Sequence, residues 1–240
     1  LHPDQQKYTE LDYTGAAKVS GSAGTGKTIV ALHRALFLHK KDQNKKILLC
    51  TFTKTLAAAL RQKLEVLMPG NSATSERIQV SHLEGVAYES LKRRGKSPNI
   101  ASRIQLTNFL RRASQIVPSD NYPIRFLLSE WENVIDAWGV EALDEYLKLK
   151  RTGRKSKLGN KQRSNLWLIF EETKSLLKGR KLTTWSAVFR EIKIEDDQFI
   201  RFDHVVIDEA QDISVAELMF LARSFSKNKN GLFFVGDVGQ

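Results

Sequence analysis

The chain has 240 residues, 41% of them hydrophobic, enough to pack one large core or two small ones. No stretch approaches the ~20 apolar residues a membrane span needs, no signal peptide precedes the first apolar run, and a single cysteine, Cys50, excludes an intramolecular disulfide. The 38 Lys and Arg against 27 Asp and Glu leave a net charge of +11, which favours a polyanionic partner, and the whole fits a reducing cytoplasm.

In chain order, the run at about 16–20 predicts a short strand, and 29–40 predicts the helix that follows it. A second strand is expected at 46–52, where Cys50 ends Ile47-Leu48-Leu49-Cys50 as a buried, inert thiol. Residues 54–67 predict a helix with Leu56, Leu60, Leu64 and Leu67 on one face, stopped by Met68-Pro69-Gly70-Asn71. A strand at 78–82 and a helix at 83–94, ending in Lys92-Arg93-Arg94-Gly95, complete this part. The pattern from about 100 to 194 is helical, with segments near 101–116, 122–137, 141–151, 164–178 and 184–194. Strands resume at 204–208 and 231–236. The economical reading is one α/β domain of parallel strands, 1–95 and 196–240, interrupted by a helical insertion at 96–195.

Between the first strand and its helix stands Gly21-Ser22-Ala23-Gly24-Thr25-Gly26-Lys27-Thr28, which matches the phosphate-loop pattern in full. The glycines let the backbone turn tightly, so that successive N–H groups converge on phosphate oxygens. Lys27 is expected to reach the β- and γ-phosphates and the Thr28 hydroxyl to bind Mg²⁺. The fourth apolar run, Val205-Val206-Ile207, ends in Asp208-Glu209. Strand carboxyl ends carry the ligand site in open α/β sheets, so both acids land beside the phosphates. Asp208 suits the Mg²⁺ shell, and Glu209 could polarise the attacking water.

Residues 148–163 hold eight basic residues and no acid, with two glycines and an asparagine that predict a loop between helices. Two readings stand for it, a solvated surface or a phosphate-contacting run in which Arg154, Lys155 and Lys157 meet nucleic acid; the second is preferred. Trp131, Trp138, Trp167 and Trp185 fall in helical patterns, and core packing is expected for each in preference to base stacking.

With these motifs in this order, the chain resembles the superfamily 1 helicases of the UvrD/Rep type over nearly its whole length. Leu1-His2-Pro3-Asp4-Gln5 resembles the segment that reads adenine, which implies base contacts for Gln5. Cys50-Thr51-Phe52-Thr53-Lys54 resembles the motif whose aromatic and hydroxyl groups touch single-stranded DNA, a role that passes to Phe52 and Thr53. Asp208-Glu209-Ala210-Gln211-Asp212 has the family's D-E-x-Q-D form. Val235-Gly236-Asp237-Val238-Gly239-Gln240 resembles the motif whose glutamine, here Gln240, links the γ-phosphate to the DNA site. The resemblance implies a RecA-like sheet carrying a DNA-facing helical insertion, with ATP and Mg²⁺ as ligands and single-stranded or partly duplex DNA as partner.

Three departures stand out. His82-Leu83-Glu84 occupies the place of a common Thr-Phe-His segment, and Ile29 stands where an arginine often follows the loop's Lys-Thr. The second RecA-like domain with its arginines does not follow Gln240, and the first residue is not Met, so the chain is expected to be a piece of a longer protein and nearly inactive alone. Two other classes compete with the helicase reading: a P-loop kinase or regulatory NTPase, and a nucleotide-dependent nucleic-acid-binding scaffold.

Overall fold

The computed structural model describes residues 2–22, 24–68, 77–117, 120–150, 157–192 and 202–237. The chain divides into two compact units, Leu1–Gly95 with Lys193–Gln240, and Lys96–Ile192.

The first unit is built on β1 (Ala17–Gly21), β2 (Ile47–Thr51), β3 (Ile78–His82), β4 (His204–Ile207) and β5 (Leu232–Asp237). They form one sheet in the order β1-β5-β4-β2-β3, and every neighbouring pair is parallel. The five apolar runs expected as strands coincide with these elements to within a residue or two. β2 is buried at every position and β4 at three of four, the continuous burial of strands covered on both faces. The register aligns the carboxyl ends. Gly21 stands opposite Asp237, and the Asp208 N–H donates to the Cys50 carbonyl at 2.8 Å. The phosphate loop, Phe52, Asp208 and Asp237 therefore leave the sheet along one edge.

Helix α2 (Lys27–Lys41) buries Val30, Ala31, Leu32, Ala35 and Leu38 in the core cluster that includes strand residues Leu49, Val206 and Phe233. In α3 (Lys54–Leu67) the buried stripe is Ala57, Leu60 and Leu64. Leu56 and Leu67, expected on that face, are each 40% exposed, because the i, i+3, i+7 row runs through Ala57 and leaves them at its margins. Burial pushes the Cys50 thiol well up, in keeping with an inert side chain.

Two helices lie outside the predicted set. α1 (Pro3–Glu10) starts with Pro at its first position and a capping box between His2 and Gln5. The helix Val215–Phe225 starts with a Ser214–Glu217 capping box, a signal legible in the sequence.

Arg34 on α2 is fully buried and joins three separate segments. It donates to the carbonyls of Thr9 (2.8 Å) and Leu11 (2.7 Å) at the end of α1, and to Asn230 Oδ1 (2.8 Å) just before β5. Its guanidinium lies over the rings of Tyr13, Phe37 and Phe233. Asn230, in the left-handed region at φ 58°, exchanges backbone and side-chain hydrogen bonds with Tyr13.

The second unit packs Leu110, Leu127, Trp131, Tyr146, Trp167 and Phe170 into a core of its own. Its helices are Arg103–Ile116, Ile124–Glu130 running through a π-turn at Trp131–Ile135 into Asp136–Trp138, Leu143–Lys148, Asn160–Gly179 and Trp185–Glu191. Trp131 and Trp167 are core residues as expected, and Trp185 is half-buried against Phe189. Trp138 is not: it is 48% exposed. The π-turn adds a residue, which rotates later positions by about 100° from the α-helical pattern, and Trp138 then ends the helix before Gly139 at φ 63°.

The basic run also differs from a uniform loop. Helix begins at Asn160, and Arg163 donates to the carbonyls of Tyr146, Leu147 and Leu149. That cation closes a helix end and is withdrawn from any phosphate-facing set. Lys157 is exposed, whereas Arg154 and Lys155 lie outside the described residues.

Replacing Arg34 by Met is expected to destabilise the first unit by about 3 kcal/mol, because the buried Thr9 carbonyl and the part-buried Leu11 carbonyl lose their donor at ~1–3 kcal/mol each. Urea unfolding checks this; a loss below ~0.5 kcal/mol, the range of a neutral surface change, would contradict the assignment of Arg34 as a structural hub.

Candidate nucleotide-binding and hydrolysis site

Gly21 closes β1, and the loop then turns through Gly24 (φ 80°) and Gly26 (φ 78°) into α2. A side chain at Gly21 would place Cβ 2.6 Å from Thr25 Oγ1, so the tight turn needs glycine there. Thr25 Oγ1 donates to the Ser22 carbonyl at 2.8 Å, which holds the turn. Gly26 is the N-cap of α2 and supplies no capping side chain, leaving the first-turn N–H groups of Lys27 and Thr28 for an anion at the positive end of the helix. Gln5 of α1 donates to the Thr25 carbonyl at 2.7 Å and so touches the loop directly. Ala23 lies outside the described residues.

Lys27 Nζ lies 2.7 Å from both the Ser22 carbonyl and Asp237 Oδ1. The ammonium is thus held in the mouth of the loop by two acceptors, one of them a carboxylate at the end of the adjacent strand.

Asp208 is buried past β4, and the Thr28 hydroxyl hydrogen-bonds its carboxyl. Burial, reinforced by the neighbouring Glu209 carboxylate, raises its pKa; the Thr28 bond and the more distant Lys63 act against it. Its Oδ1 is buried with no hydrogen-bond partner among the described residues. An orphaned carboxylate oxygen beside a threonine hydroxyl is a donor set that fits a hard dication, which would complete its shell with phosphate and water oxygens. Among the described residues no group of three or more His, Cys, Asp or Glu side chains could hold a metal without such help.

Glu209 follows in the left-handed region (φ 55°, ψ 45°). Its Oε2 accepts from Gln211 Nε2 at 2.6 Å, and Gln211 Oε1 accepts the Asp237 N–H at 3.0 Å. Neither Gln211 nor Asp237 was singled out individually from the sequence; the D-E-x-Q-D string and the Gly-Asp at the end of β5 were the available signals. Gln240 lies outside the described residues.

Along the same edge, Phe52 is 51% exposed past β2, as a stacking platform requires. The Thr53 hydroxyl accepts from the Leu56 N–H at 3.1 Å as the N-cap of α3, so its first task is structural. His82 closes β3 and starts the helix Leu83–Arg93, and its burial lowers its pKa.

Two comparisons bear on this geometry. The chain matches the UvrD/REP helicase N-terminal domain over residues 1–240. It is similar to a probable DNA helicase II homolog of Mycoplasma genitalium, 27% identical over 255 residues, which cover 99% of this chain and 35% of that protein. The chain thus spans about a third of that relative's length. The match sets aside the kinase and regulatory-NTPase readings of the phosphate loop. With its five-stranded parallel sheet, its phosphate loop after β1 and its Asp-Glu pair after β4, the chain belongs to the UvrD/REP helicase N-terminal domain family.

Proposed function

We propose that this chain is the ATP-hydrolysing half of a cytoplasmic helicase or translocase that couples hydrolysis to movement on single-stranded DNA. A second RecA-like domain completes its ATP site. The observation that carries this reading is the convergence of Lys27, Thr28, Asp208 and Glu209 past the carboxyl ends of β1 and β4, the two strands that flank β5, in a phosphate-loop fold. No helix among the described residues is long and apolar enough to cross a membrane.

In this reading the backbone from Gly21 to Thr28, including Ala23, cradles the triphosphate, and Lys27 exchanges Asp237 for the β- and γ-phosphates. Gln5, anchored on the Thr25 carbonyl, is placed to read the base beside the loop. Thr28 and Asp208 would hold Mg²⁺, which would supply positive charge to offset that of the phosphates. Glu209 orients the attacking water and takes its proton. Gln240 links the γ-phosphate to the DNA path, where Phe52 stacks a base and Thr53, beyond its capping bond, offers a polar contact. Arg154, Lys155 and Lys157 meet the phosphate backbone, together with the exposed Lys92, Arg93 and Lys96.

Glu209→Gln is expected to leave ATP affinity nearly unchanged and to stop turnover in the protein carrying both RecA-like domains, since the change removes the proton acceptor and keeps its shape. Residues 1–240 alone are expected to hydrolyse ATP very slowly, because the arginine that stabilises the transferring phosphoryl group is worth ~10³–10⁵ in rate and belongs to the second domain. Steady-state ATPase assays of both proteins check this. Normal turnover by Glu209→Gln would move the base elsewhere, and robust DNA-stimulated ATPase from residues 1–240 would contradict the shared site.

Single-stranded DNA is expected to bind this chain weakly and without sequence preference. With about four phosphates neutralised, the log–log salt slope is about −3, or roughly fifty-fold weaker binding from 50 to 200 mM salt. Fluorescence anisotropy on Phe52→Ala and on the triple change Arg154→Gln, Lys155→Gln, Lys157→Gln separates the two contributions. The first lowers affinity with the slope intact, by ~1–3 kcal/mol for one stacked base, and the second flattens the slope. If neither changes binding, the DNA path lies elsewhere.

A further inference from the structure

We propose that Gln211 is a positioning residue that fixes the Glu209 carboxylate and ties it to the end of β5. The inference rests on the reading of Glu209 as the group that acts on water, and it adds a residue to which that reading gives no role.

Glu209 occupies a left-handed conformation that side chains with a Cβ rarely adopt, so local structure has to hold it there. The carboxamide of Gln211 is the available brace, and both of its ends are engaged. Nε2 donates to Glu209 Oε2 at 2.6 Å, and Oε1 accepts the Asp237 N–H at 3.0 Å. A carboxylate at this position would lack the donor, and a lysine or arginine would lack the acceptor. Asparagine has both but is shorter by a methylene.

Gly236 makes room for the brace. A Cβ there would stand 2.7 Å from Gln211 Oε1 and 3.2 Å from the backbone nitrogens of Ala210 and Gln211. Asp237 then serves two partners with different atoms: its N–H reaches Gln211, and its carboxylate lies 2.7 Å from Lys27 Nζ. A continuous line of polar contacts runs from the lysine of the phosphate loop through Asp237 and Gln211 to Glu209. When Lys27 turns to a phosphate, the Asp237 carboxylate loses its partner, and any shift at the end of β5 passes through Gln211 to the carboxylate that meets the water.

The test uses the protein carrying both RecA-like domains, with DNA-stimulated turnover, binding of a fluorescent ATP analogue and melting temperature measured together. Gln211→Ala is expected to lower kcat about a hundredfold, the cost of misplacing a catalytic group by about 1 Å, with KM for ATP held within about twofold. Gln211→Glu keeps the acceptor for Asp237 but sets a second carboxylate on Glu209, and does not rescue. Gly236→Ala pushes the carboxamide aside without altering it and lowers kcat in the same way, at an unchanged melting temperature. In a Glu209→Gln background, adding Gln211→Ala leaves the residual rate unchanged, because both changes act through one carboxylate. Wild-type kcat in Gln211→Ala beside an inactive Glu209→Gln would overturn the proposal alone. So would a further fall in the double variant, or a fall in kcat matched by an equal loss of nucleotide binding and stability. Wild-type turnover in Glu209→Gln would overturn the assignment of Glu209, and the proposal with it.

Discussion

The parallel pairing of β1 with β5 sets Gly21 opposite Asp237, and the chemistry of the first unit depends on that register. β1 delivers the phosphate loop and β5 delivers the carboxylate that faces Lys27. β4, on the other side of β5, delivers Asp208 and Glu209 to the same edge. A slip of one residue in either pairing would turn every side chain of a strand to the opposite face and separate these groups. Buried β4 and β5, fixed from both sides, make such a slip costly, so the core determines the site's geometry before any ligand arrives.

The same edge gathers charges that oppose one another until phosphate binds. Burial raises the pKa of the Asp208 carboxyl, the adjacent Glu209 adds to that effect, and one oxygen of Asp208 has no partner among the described residues. Among the described residues, Lys27 is satisfied by Asp237 and the Ser22 carbonyl. A nucleotide with its dication would satisfy both at once, the phosphates taking Lys27 and the cation taking Asp208. Midway along α2, Arg34 holds the close of α1 and the turn before β5, which steadies the helix that carries Gln5 to the loop. Between β3 and β4 the chain leaves the sheet to build a second unit with a separate core, and the sheet's parallel order is kept across that interruption.

The strands and the phosphate loop were legible because both signals are local. A buried parallel strand is a continuous apolar run, and a phosphate-loop turn requires glycine at fixed spacing. Less was legible where a position depends on a partner distant in sequence. Nothing adjacent in the sequence marks Arg34, in the helix expected at 29–40, as a core residue, yet Thr9, Leu11 and Asn230 draw it fully inside. Arg163 reads as part of a basic loop, yet it closes a helix on Tyr146, Leu147 and Leu149. Trp138 defeats the periodic pattern because the π-turn at Trp131–Ile135 changes the phase ahead of it. The helix Val215–Phe225 was within reach, since Ser214 and Glu217 spell a capping box before an apolar run. The roles of Gln211 and Asp237 emerge only from the register that brings β4 and β5 together.

The central claim is that Lys27 gives up Asp237 for the phosphates of a magnesium nucleotide. Isothermal titration of residues 1–240 with ATP, with and without Mg²⁺, for the wild type and Lys27→Ala, tests it most directly. The account predicts Mg²⁺-strengthened binding by the wild type and none by Lys27→Ala, because Lys27 is the one side-chain charge the loop offers the β- and γ-phosphates. Equal affinity of the two proteins would contradict it.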